Sequence, residues 1–259
     1  MPNPISTHGF TAVPASATTL LTSTPAYPAP TSPPSPIPVT STPIPNTPLA
    51  QRINSYAKTR LPEPTYHYSL RVYHYGLAIK QYRFAAHADW QFSDETYFLA
   101  CVLHDIGTTE ENITATHLSF EFFGGMLAMD VLRNTSIHNP GGDGPGGAPA
   151  GVASRDQAES VVEAIIRHQD LCEVGKITAL GQLLQLATIF DNTGTYADLV
   201  HEDTIKDVCA QFPRHHWSGC FAATIRRENG LKPWAHTTAL GEEAFPAKVL
   251  GNTLMEPYE

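Results

Sequence analysis

An all-α fold is predicted from three features of the chain. Apolar residues recur near the 3.6-residue helical period, capping residues precede several of those runs, and no strand-and-turn rhythm or internal repeat is present. Residues 48–60 suit one short helix. From Tyr66 to about Arg83, Leu70, Tyr73, Leu77 and Ile79 fall close to one helical face. Ser93-Asp94-Glu95 reads as a helix start, an N-cap followed by two acids that complement the dipole. That helix continues through Phe98, Ala100, Val102 and Leu103, with Gly107 marking its end. Further helices are expected over about 117–132, over 155–168 (with Ala158, Val161, Val162, Ile165 and Ile166 as the apolar set) and over 180–190. Residues 203–229 read as partly helical. The run from Asn139 to Ala150, rich in glycine, is expected to be a flexible loop.

The first fifth of the chain is a different material. Residues 1–50 contain no Asp, Glu, Lys or Arg, yet they hold 13 of the 22 prolines and 16 Ser/Thr. Prolines remove backbone donors, and few apolar groups are available to offset ordering entropy. Residues 1–48 are therefore expected to be mostly disordered, with polyproline II character over 15–47. A short exception is 9–14, which could dock by Phe10 and Val13. Residues 49–259 form the expected catalytic region.

All formal side-chain charge sits on that remainder: 16 Lys+Arg against 25 Asp+Glu, a net charge of −9. This balance argues against a nucleic-acid binder held by phosphate contacts. No stretch of 18 apolar residues is present, so no transmembrane helix is expected. The N-terminus fits neither a secretory signal nor a transit peptide. The four cysteines, Cys101, Cys172, Cys209 and Cys220, form no CxxC pair and read as reduced and buried. A cytoplasmic location is expected.

Chemistry concentrates in a few histidines and aspartates. His104 and Asp105 are adjacent at a helix end, flanked by Cys101-Val102-Leu103 and Ile106; His168 closes one helix and Asp191 the next. A lone His-Asp pair is weak evidence, and a histidine at a helix C-terminus is favoured by the dipole alone. The apolar flanks sharpen the question, because a buried carboxylate is costly unless it is paired or bound to a metal. One divalent cation reconciles buried acids with buried imidazoles most simply.

These pieces carry a family resemblance. Tyr66-His67-Tyr68-Ser69-Leu70-Arg71-Val72, Leu103-His104-Asp105-Ile106-Gly107, Ile166-Arg167-His168-Gln169-Asp170 and Ala187-Thr188-Ile189-Phe190-Asp191-Asn192 resemble the H…HD…D order of HD-domain metalloenzymes. Pieces unrelated to the metal order are similar to the fungal cyanamide hydratase family. They include Gly9 to Pro14, Ser119 to Gly125, Phe212-Pro213-Arg214-His215, Lys232-Pro233-Trp234-Ala235-His236-Thr237-Thr238 and Asn252 to Pro257. The resemblance implies an HD-domain helical bundle, a hydro-lyase (a carbon–oxygen lyase) that hydrates cyanamide to urea, and zinc, one ion per chain, or another divalent transition metal. It implies His67, His104, Asp105 and Asp191 as metal ligands. The Pro-rich segment and the Gly-rich loop depart from the family pattern.

The chemistry suits these groups. Water at neutral pH is a poor nucleophile toward a nitrile carbon, and bound Zn²⁺ lowers the pKa of its water to about 7. His168 is the candidate proton shuttle, with Asp105 also catalytic. Glu121 could orient the attacking water, or be a solvated helix glutamate. Thr108, Asn192 and Arg71 are candidates for substrate binding; Arg71 has a salt bridge to a neighbouring acid as its alternative. Cyanamide and further copies of the chain, in a homo-oligomer, are the expected partners, with no nucleic acid and no membrane. A rival reading, an HD-type phosphohydrolase acting on nucleotides, should need Arg71, Lys232 or Arg214 lining the pocket. A relative acting on another small nitrile or isonitrile is a narrower rival.

Overall fold

The helices begin where the sequence can cap them. In the computed structural model, which describes residues 3–22, 27–134 and 151–259, Thr47 caps α1 (Pro48–Arg60), accepting from the Ala50 N–H. Ser93 does the same for α3 (Asp94–Leu103), and Ser154 for α5 (Arg155–Arg167). Thr178 caps α6 (Ala179–Thr193), and Gly194, at φ 68°, ends it in the left-handed conformation that glycine adopts without strain. Between them, α2 (Glu63–Ile79) starts behind Pro62 and α4 (Phe120–Arg133) behind Ser119. Two further helices, α7 (Glu202–Gln211) and α8 (Trp217–Leu231), complete the bundle. The helical class expected from the periodicity is what forms.

Helices α2, α3 and α6 make the centre. Helix α2 packs on α3 and α6, while α5 covers α3 and α6 and itself packs on α4. Leu180, Leu183, Leu184, Leu186 and Phe190 of α6 are fully buried, as is the run Thr96–Leu103 of α3. Truncating one such leucine to alanine costs about 2–5 kcal/mol. No helix of the described residues is long and apolar enough to cross a membrane.

The end of α3 differs from the expected stop at Gly107. The helix closes at Leu103, His104 is its C-cap, and a short 3₁₀ turn, Ile106–Thr108, follows. Gly107 serves another purpose: a Cβ there would lie 2.1 Å from the carbonyl oxygen of Phe120. Its absence lets the turn after Asp105 pack backbone to backbone against the start of α4.

The N-terminal piece docks as a strand. Ala12–Pro14 (β1) pairs antiparallel with Lys176–Thr178 (β2), Val13 opposite Ile177, both buried. Phe10 is only half-buried. Three-residue strands are too short to show alternation in sequence, so this ribbon was not expected.

The described parts of the Pro-rich segment also lie against the bundle. Ser16 caps a short helix, Ala17–Leu21, whose Leu20 is buried. Residues 27–47 run without regular structure apart from the 3₁₀ turn Val39–Ser41. Their backbone is held from outside. Ile37 N–H donates to Thr204 Oγ1 and Val39 N–H to Asp207 Oδ2, both at 2.7 Å, and Tyr73 O–H donates to the Pro43 carbonyl. Tyr27 packs edge-on against Phe84 and Trp90. A proline-stiffened chain has less entropy to lose, so a few such anchors suffice. The Gly-rich stretch 139–150 lies outside the described residues. All four cysteines are free; Cys101 and Cys209 are buried as expected, but Cys172 is half-buried and Cys220 exposed.

Candidate metal centre and its cleft

Two helix ends converge on one point. His104 is the C-cap of α3, Asp105 follows it in the bridge region of the backbone (φ −100°, ψ 12°), and His168 is the C-cap of α5. Ligand atoms of the three lie within 4.8 Å of one another, and all three residues are buried. His104 Nε2 is 3.5 Å from Asp105 Oδ2, and His168 Nε2 is 3.9 Å from Asp105 Oδ1.

The two imidazoles are oriented by the same device. His104 Nδ1 lies 2.7 Å from the Cys101 carbonyl oxygen, and His168 Nδ1 lies 2.7 Å from that of Ile165. A carbonyl only accepts, so Nδ1 carries the hydrogen in each ring and Nε2 presents a bare lone pair to the cluster. The last carbonyls of a helix lack intrahelical partners, and here each receives a histidine. Burial drives His104 down to about 4 and, with the neighbouring His104, lowers His168 as well. Both rings are therefore neutral at pH 7.

Asp105 is the unusual member. Neither carboxylate oxygen has a hydrogen-bond partner, although the residue is buried, and His104 Nε2 is unpartnered too. Burial pushes Asp105 up to about 6, opposed by His168 and reinforced by Glu121. Two neutral imidazole nitrogens and a carboxylate with free lone pairs form a donor set that fits a divalent transition metal such as zinc.

Beside the cluster opens a small cleft. Its floor is Asp105 and His168, and its walls include Tyr68, Thr188, Asn192, Phe221 and Phe245. Tyr68 is stacked on Trp217, ring centroids 4.1 Å apart. The Trp217 indole N–H donates to Asn192 Oδ1, which fixes the amide so that Asn192 Nδ2 donates to the Tyr68 hydroxyl oxygen at 2.8 Å. The phenol hydrogen is thus left free to donate. Burial, with Asp105 and Asp191 nearby, raises the Tyr68 hydroxyl well above its ordinary value and keeps it protonated.

The remaining predicted site residues distribute as follows. Glu121 is fully buried, not solvated; one carboxylate oxygen lies 2.7 Å from His236 Nδ1 and the other is unpartnered. That contact is the main reason His236 is shifted upward. Asn192 lies on the cleft wall, whereas Thr108 turns back to donate to the Asp105 carbonyl.

Arg71, Asp191 and His67 are not brought to the cluster. Arg71 Nε and Nη2 donate to the two oxygens of Asp191 at 3.0 and 3.1 Å, and Arg214 Nη1 stands 2.9 Å from Asp191 Oδ1. Burial opposes its ionisation, but Arg214 and Arg71 hold Asp191 below the ordinary carboxylate range. Two guanidiniums engage both of its oxygens. His67 sits in the second turn of α2, at the rim of the bundle, where its Nδ1 lies 3.3 Å from the Pro213 carbonyl oxygen. Adjacent helix residues point about 100° apart, and it is Tyr68, not His67, that faces the cleft. Tyr68 was missed, and its only sequence signal is its place beside a histidine in that motif.

No family model matches the chain. Two curated proteins of Saccharomyces cerevisiae, the cyanamide hydratases DDI2 and DDI3, are each 42% identical to it over 211 residues, covering 82% of this chain and 85% of theirs.

Proposed function

Because this chain belongs to the cyanamide hydratase family, we propose that it hydrates cyanamide to urea at the His104–Asp105–His168 centre. The observation that carries the metal assignment is the buried Asp105 carboxylate with both oxygens unpartnered, facing two imidazole nitrogens. His104 Nε2, His168 Nε2 and an Asp105 oxygen would hold the ion. A bound zinc supplies a water acidic enough to lose its proton near neutral pH.

The chain's own groups do the rest. In this reading a small neutral molecule enters beside Thr188, Phe221 and Phe245, which line the cleft with Asp105, and its nitrile carbon faces the Asp105 end. The second Asp105 oxygen accepts a hydrogen from the attacking water and so fixes its direction. As the carbon–oxygen bond forms, negative charge develops on the former nitrile nitrogen. The free phenol hydrogen of Tyr68, aimed by Asn192 and Trp217, is transferred there, and the proton that the attacking water releases to Asp105 passes through solvent in the cleft to restore the phenol. His168 becomes a ligand in this reading instead of the proton shuttle, because its only site-facing nitrogen belongs to the cluster. Addition of one water gives isourea, which tautomerises to urea.

The phosphohydrolase reading lacks its anion holder. Among the described residues, no Lys or Arg lines the cleft. Arg71 and Arg214 are committed to Asp191, and Lys232 Nζ donates to the Leu118 carbonyl. The test is urea release from cyanamide by purified protein, with and without a chelator, alongside elemental analysis. No urea from a metal-loaded sample would sink the proposal.

A further inference from the structure

His67, left at the rim, has company. Glu63 and His67 stand one helical turn apart in α2, so both side chains share a face. His215 reaches them from the loop before α8. Its Nε2 lies 3.2 Å from His67 Nδ1 and 3.9 Å from Glu63 Oε1. All three ligand atoms fall within 4.8 Å of one another.

One ring nitrogen of His67 faces two acceptor-capable neighbours. His67 Nδ1 meets both the Pro213 carbonyl oxygen, at 3.3 Å, and His215 Nε2. If Nδ1 accepts from His215, its lone pair opposes that of the carbonyl. If it donates to the carbonyl, its single hydrogen is shared between two acceptors. A cation would take lone pairs from both rings, the carboxylate and the carbonyl together.

The backbone points the same way. His215 and His216 both sit at positive φ, 51° and 57°, a left-handed conformation uncommon for residues other than glycine. Consecutive residues of this kind persist only when their surroundings hold them, and such strain gathers at sites that bind. Arg71 also donates to the Pro213 carbonyl, but its charge is matched by Asp191.

We propose that Glu63, His67 and His215, with the Pro213 carbonyl, form a second, surface site for a divalent transition ion of the kind imidazole prefers, such as Zn²⁺. The ion clamps the first turns of α2 to the 213–216 loop. That loop also carries Arg214, which holds Asp191, so the clamp stiffens the outer wall of the bundle without touching the cleft. The site is independent of the buried centre and of the reaction proposed there.

The experiment is calorimetric titration of Zn²⁺ into the full chain. After the tight class of the buried centre, a weaker class of one equivalent is expected. His215→Asn suits as a variant because asparagine tolerates the left-handed backbone; Glu63→Gln removes the carboxylate from the other side. Each should weaken the second class at least tenfold and leave the tight class and urea production unchanged. Excess Zn²⁺ should raise the Tm of the parent chain but not that of His215→Asn. Absence of a second class, or a second class unchanged in both variants, overturns the site. Failure of the buried centre would appear instead as loss of the tight class.

Discussion

Replacing Asp191 by asparagine separates two roles for this residue. As a metal ligand, in the H…HD…D order, its loss would empty the centre. As the counter-ion of Arg71 and Arg214, its loss would leave buried positive charge unmatched. Arg214 keeps Glu259, 2.9 Å from its Nε, but Arg71 keeps the carbonyls of Phe212 and Pro213 and the Tyr68 ring, none of which carries a charge. Breaking a buried pair from one side costs about 3–5 kcal/mol. At roughly 2–4 °C per kcal/mol for a chain of this size, Tm should fall by about 6–20 °C. Calorimetry and elemental analysis of the folded protein, well below the transition, are the assays. Asp191→Asn should bind its full metal complement. The double variant Arg71→Met, Asp191→Leu removes both charges of the pair and should be more stable than Asp191→Asn alone. Stoichiometric metal loss at an unchanged Tm would refute the counter-ion role.

Three other outcomes follow from the geometry. His104→Ala and His168→Ala should each lose metal and activity together, read by elemental analysis and urea release; a variant that keeps full metal content removes that residue from the ligand set. Tyr68→Phe should keep its metal and lose about 10²-fold in kcat, and an unchanged kcat would dismiss the phenol as proton donor. His74, buried against Phe212 with its Nδ1 2.7 Å from Thr42 Oγ1, is driven by burial to about 4, with Asp207 opposing. A depressed histidine adds stability that is complete above its unfolded value of 6.5 and is lost as pH falls toward 4. With each pKa unit worth about 1.4 kcal/mol, this amounts to roughly 3 kcal/mol. Denaturant unfolding at pH 7.5 and pH 4.5 should show the loss in the parent chain, and His74→Phe should show correspondingly less of it.

Much of the bundle was legible because local signals set it. Ser93 with its two following acids marked α3, and the apolar spacing of Ala158, Val161 and Ile165 marked α5. His104, Asp105 and His168 stood out because apolar neighbours make a buried acid demand a partner. The identity of that partner was less legible. Asp191 carries the same signal as Asp105, yet two arginines distant in sequence neutralise it, and no local pattern announces a contact across 120 residues. The turn from His67 to Tyr68 depends on the rotation of α2 against its neighbours. The docking of 27–47 depends on acceptors offered by Thr204 and Asp207, which composition does not reveal.

The ribbon between β1 and β2 has a temporal consequence. Ser16, just after β1, donates to Glu173, just before β2, across 157 residues of chain. On the ribosome, β1 emerges more than 160 residues ahead of its partner β2. At about 5–20 residues per second, it waits on the order of ten seconds or more with Val13 and Leu20 uncovered. During that interval it is an unpaired edge, open to chaperones or to a neighbouring nascent chain. Residues 1–50 carry no charge that would repel such a neighbour, so the waiting strand relies on its prolines, Pro14 among them, to discourage the wrong pairing.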